Sequence, residues 1–80
     1  MKLAYDYALE PPAWFEEAFA RASGFGWVRS AMADCARAGE VSSDDLHLEL
    51  VRALWDITGI HGHELMDMMH EYTIGVYIED

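Results

Sequence analysis

The sequence predicts a mainly α domain of the α+β type: a compact four-helix unit with a two-stranded antiparallel ribbon drawn from the N- and C-terminal segments. Three observations carry this expectation. Pro11-Pro12 and the glycines at 24, 26, 39, 59 and 62 cut the middle of the chain into four segments. Within each segment the apolar residues recur at the helical period, whereas both ends of the chain alternate with period two. At 80 residues there is room for one domain, 1–80, and no repeat, linker or low-complexity run divides it.

The N-terminal segment alternates Leu3, Tyr5, Tyr7 and Leu9 with Ala4, Asp6 and Ala8, which reads as a strand with one covered face. Pro12 then suits the first turn of a helix, because its missing N–H is an orphan there in any case. Trp14, Phe15, Ala18, Phe19 and Ala22 share one face of that helix, Glu17 and Arg21 form an i,i+4 pair, and Gly24 closes it. A second helix, about Trp27 to Ala38, places Val28, Ala31, Met32, Cys35 and Ala36 opposite Arg29, Ser30, Asp34 and Arg37, with Gly39 as its stop. Cys35 falls in the middle of the apolar stripe and has no cationic or histidine neighbour to activate it. A buried structural thiol is therefore expected rather than a reactive one.

Ser42 or Ser43 caps a third helix that begins with Asp44 and Asp45, where the helix dipole favours acids, and runs to about Ile57 before Gly59. Its apolar residues Leu46, Leu50, Val51, Ala53, Leu54, Trp55 and Ile57 cover more than half the circumference, leaving a narrow stripe of Asp45, Glu49, Arg52 and Asp56. This helix should be the centre of the core. The fourth, about Gly62 to Thr73, is two-faced: Leu65, Met66, Met68, Met69 and Tyr72 lie on one side and His63, Glu64, Asp67, His70 and Glu71 on the other. Ile74-Gly75-Val76-Tyr77-Ile78 is β-branched and aromatic with period two, so it reads as a strand able to pair with the N-terminal one. Continuing the fourth helix through Gly75 is the alternative, at about 1 kcal/mol for the glycine.

Composition narrows the function. The chain holds 5 Lys+Arg and 15 Asp+Glu, a formal charge of -10, yet 52% of it is hydrophobic and 12% aromatic, too apolar for a disordered acidic tail. Residues 1–40 hold six acids and four bases, whereas residues 41–80 hold nine acids and Arg52 as the one base. Such a balance repels nucleic acid and anionic membrane and attracts basic partners. No run approaches 18 apolar residues and Asp6 interrupts the N-terminal segment, so neither a membrane span nor a secretory signal is expected, and a cytoplasmic location is. A single cysteine cannot make an internal disulfide or a cysteine zinc site.

Motifs for chemistry are sparse. His63, Asp67 and His70 fall on one helical face, and His63-Glu64-x-x-Asp67 is a departed form of the His-Glu-x-x-His zinc pattern, with Asp67 where the second histidine stands. Asp67-x-x-His70 matches half of a di-iron carboxylate motif, and its other half would have to come from a second copy. The competing reading is a solvated face with His–acid hydrogen bonds, and no metal or cofactor is expected. The serines lie in no Gly-x-Ser-x-Gly turn, no phosphate loop is present, and Gly24-Phe25-Gly26 reads as the turn between the first two helices. The expectation is a protein that is not an enzyme.

What remains is surface physics. Asp44, Asp45, Glu49, Asp56, Glu64, Asp67 and Glu71 set seven acids against Arg52 within residues 44–71. A chain of this length is roughly 30 Å across, and duplex DNA of that length carries about 18 charges, so -10 is about half of a DNA-like density. In size and charge, spread over the whole chain rather than in any motif, the sequence resembles the small acidic phage-encoded inhibitors, anti-CRISPR proteins and other DNA mimics. That resemblance implies a stoichiometric inhibitor whose carboxylates occupy the basic nucleic-acid-binding surface of a bacterial protein complex. The rival expectation is a hydrophobic adaptor or homodimer that uses Trp27, Met66 and Met69, with the acids serving solubility, since ten aromatics and five Met exceed what one small core usually hides.

Overall fold

In the computed structural model, which describes residues 2–79 and only the backbone of residues 73 and 74, the chain runs β1 (Lys2–Tyr7), α1 (Ala13–Ala22), α2 (Gly26–Arg37), α3 (Asp44–Thr58), α4 (Gly62–Tyr72) and β2 (Thr73–Glu79). The α+β architecture is the one the periodicities predict. β1 and β2 form a two-stranded antiparallel sheet in which Lys2 faces Glu79, Leu3 faces Ile78, Tyr5 faces Val76 and Asp6 faces Gly75. The register shifts between Asp6 and Tyr7, and the N–H groups of Ala8 and Leu9 both donate to the Tyr72 carbonyl. Leu9 thus falls outside the strand the alternation assigned it to, and it is exposed.

Helix ends follow local chemistry. Ser43, rather than Ser42, caps α3 by accepting from the Leu46 N–H, and Gly59 ends it with a φ of 74° while donating to the Trp55 carbonyl. After α2, Gly39 (φ 76°) donates to Ala36 O and Glu40 N–H to Cys35 O, the two bonds of a Schellman turn. Cys35 is buried, as expected, and its thiol donates to the Glu40 carbonyl at 3.5 Å.

α3 is the central element, packed against α1, α2 and α4, and its Leu46, Leu50 and Leu54 are fully buried with Phe15, Phe19, Val28, Met32 and Leu65. Each is a large side chain whose removal from water contributes on the order of 1.5–3 kcal/mol. Three residues depart from the helical-face assignments, and one from the expected partner surface. Trp14 and Trp55 are 44% and 46% exposed rather than core, each at the edge of its apolar stripe. Ala36 is likewise exposed. Met69, expected at a partner surface, is buried in the core beside Leu65, whereas Met66 is only half-buried against it.

Candidate functional site

The α2–α3 contact leaves a groove of about 590 Å³ lined by Trp27, Ser30, Asp34, Cys35, Glu40, Ser43, Asp45, Glu49 and Arg52. α2 supplies Trp27 and Asp34 from its exposed side, the Schellman turn carries Glu40 into the lining, and α3 supplies Asp45, Glu49 and Arg52 from one stripe. Trp27 holds one end: its indole N–H donates to the Glu49 carbonyl at 3.3 Å, and the Arg52 guanidinium lies 5.8 Å from the centre of its ring. The ring is 40% exposed, on the surface as the sequence suggested.

Four carboxylates therefore line the groove against the guanidinium of Arg52. Asp34 is paired with Arg37 and Glu49 with Arg52, while Glu40 and Asp45 make no ion pair among the described residues. Asp34 and Glu40 are additions to the residues the sequence pointed to. Glu40 was recoverable from Gly39, since a glycine at that position of a helix end puts the next residue back over the last turn. Asp34 needed the relative placement of two helices.

Of the seven acids named from the sequence, Asp45 and Glu49 line this groove, while Asp56 lies beyond it beside Arg52 and Trp55. Glu64, Asp67 and Glu71 are on α4, which begins where Gly62 meets Val51 and the Trp55 ring. Asp44 sits at the start of α3 on the Trp55 side. Asp44, Asp45, Asp56, Glu64, Asp67 and Glu71 make no ion pair among the described residues, whose pairs are Lys2–Glu79, Asp34–Arg37 and Glu49–Arg52.

No three His, Cys, Asp or Glu side chains among the described residues converge on a metal position. His63 instead stacks on His61, with ring centres 5.3 Å apart at 13°, its N–H donates to His61 Nδ1, and His61 in turn packs on Trp55. A second groove, about 710 Å³, runs between α1 and the end of α3 past Trp14, Glu17, Arg21, Ile57 and Ile60. Its one hydroxyl, Thr58, donates to the Leu54 carbonyl. No helix among the described residues is long and apolar enough to cross a membrane. No family model, curated protein or solved structure matches this chain.

Proposed function

We propose that the protein is a non-enzymatic inhibitor that binds the basic nucleic-acid-binding surface of a bacterial protein complex, with the α2–α3 groove receiving its Lys or Arg side chains. The observation that carries this reading is the pair Glu40 and Asp45, lining a groove of four carboxylates without an internal cation of their own. Two copies of a negative group in a concave site focus the field of the whole molecule, whose charge is -10. Magnitudes divide the labour. An exposed ion pair is worth about 0.2–1 kcal/mol, so the carboxylates set the rate and salt dependence of association. Affinity then falls to an apolar anchor, and Trp27 stands at the groove's end in that position. Glu64, Asp67 and Glu71 of α4, without ion pairs among the described residues, add to the attraction for a basic partner. The likeness to anti-CRISPR proteins makes a DNA-binding complex the first target to test.

A second reading rests on Leu48 and Trp55, exposed two turns apart on α3, as the contact of an apolar adaptor. Capture of partners from a bacterial lysate, eluted by salt, separates the two. Under the acidic reading a nucleic-acid-binding complex is released at moderate salt and is displaced by added duplex DNA. A partner retained at high salt and indifferent to duplex DNA would overturn it in favour of the adaptor.

A further inference from the structure

The two outer edges of the sheet differ. On β2 the outward groups are occupied: Ile78 N–H donates to the Val41 carbonyl at 2.7 Å, and His47 Nε2 lies 3.5 Å from the Val76 carbonyl. In an antiparallel ladder, groups that point away from the partner strand belong to the non-hydrogen-bonded pairs. Leu3↔Ile78 and Tyr5↔Val76 are therefore such pairs, and the N–H and C=O of Leu3 and Tyr5 point outward from β1 as well. No hydrogen bond among the described residues reaches those four groups. A cleft of about 250 Å³ is lined by Leu3 and Tyr5 of β1 together with Phe19, Ala20, Ser23 and Arg29.

We infer that this edge is a docking site for a second copy of the chain, β1 against β1 in antiparallel register with the two-fold axis at Ala4. The register follows from the residues. Leu3 of each copy faces Tyr5 of the other, and each such pair exchanges two hydrogen bonds through the open groups. Lys2 of each copy then faces Asp6 of the other. Lys2 and Asp6 are both exposed and flank Ala4 at equal distance; Asp6 makes no ion pair within the described residues, and Lys2, paired with Glu79 at 3.2 Å across the sheet, has Asp6 of the other copy on its open side. Opposite charges at directly facing positions favour this register, whereas a slip by two residues separates them. Ala4, the small residue on the axis, faces itself. A charged edge strand ordinarily deters pairing with other sheets, and here the same charges select one partner.

An edge-to-edge contact between single strands calls for sedimentation at chain concentrations up to about 1 mM, where weak self-association is seen. Because each copy carries -10, screening of their mutual repulsion makes the dimer tighten with added salt, opposite to the salt response of the acidic groove. Lys2→Asp and Asp6→Lys each place like charges at both facing positions, and each alone should weaken association about tenfold. Mixed together they should restore it, since one supplies the aspartates and the other the lysines. Circular dichroism checks that both keep the fold. Independently, Ala4→Cys should form a symmetric intermolecular disulfide under mild oxidation, as facing Cα atoms about 4.5 Å apart permit, while Ala8→Cys should not. A wild-type monomer throughout this range, a dimer equally strong in both single variants, or no gain on mixing would overturn the inference. None of these outcomes bears on partner capture by the groove.

Discussion

Tyr7 carries a buried hydroxyl with no hydrogen-bond partner among the described residues. Burial, reinforced by the neighbouring Tyr5 and the Glu16 carboxylate, holds its phenol well above the usual tyrosine range. Tyr5 and Glu16 lie close enough to favour the neutral phenol but make no well-formed hydrogen bond with it, so the hydroxyl is poorly satisfied. An unsatisfied buried polar group costs about 1–3 kcal/mol, so Tyr7→Phe should raise the urea midpoint at neutral pH. The sign of the pH dependence follows from linkage. Below about pH 10 the phenol is neutral in both folded and unfolded chains, and its contribution does not change. Above that, the unfolded chain ionises while the folded one resists, and stability falls as pH rises. Tyr7→Phe should remove that part of the alkaline loss, as denaturation followed from pH 8 to 11 would reveal. Ser43 works at the same scale in the opposite sense: its hydroxyl satisfies one orphan N–H of α3, and Ser43→Ala should cost about 1 kcal/mol with an unchanged denaturant slope.

Each helix was legible from signals within itself, because a cap, a glycine and a period of 3.6 are local. Gly39 illustrates the strength of such signals: its positive φ closes the Schellman turn that sets Glu40 in the groove. Gly39→Ala should therefore cost about 1–2 kcal/mol and weaken partner binding beyond what the stability loss explains, measured by comparing folded fraction with affinity. What the sequence could not convey is which flank of a stripe its neighbours cover. Trp55 follows Leu54 by one residue, about 100° around α3, and that step moves it from full burial to half exposure at the beginning of α4. Met69 makes the converse case, placed at an edge of the α4 stripe by its spacing and yet enclosed where α4 meets the core. The groove itself joins Asp34 on α2 to Asp45 on α3 across a helix crossing that no local pattern encodes. The seven-acid list accordingly named its α3 wall and missed the other.

At the scale of the whole molecule, an object of 31 × 24 × 19 Å carries a charge of -10, and the two proposed contacts should answer oppositely to salt. As ionic strength rises, the proposed groove contact should lose affinity for a basic partner and the proposed β1 contact should gain affinity for its own copy. The groove is the concave part of the acidic surface, where its carboxylates act together on an approaching cation. Charge reversal confined to α4, at Glu64, Asp67 and Glu71, which do not line the groove, should slow association less than reversal of the groove's Glu40 and Asp45, a difference that stopped-flow association rates at two salt concentrations would resolve. The measurement that bears most directly on the groove is capture of a nucleic-acid-binding complex by the wild type and by a folded Glu40→Lys/Asp45→Lys variant at physiological salt. Loss of at least about tenfold in affinity, with wild-type stability retained, is the expected result. Equal capture by the two proteins would contradict it.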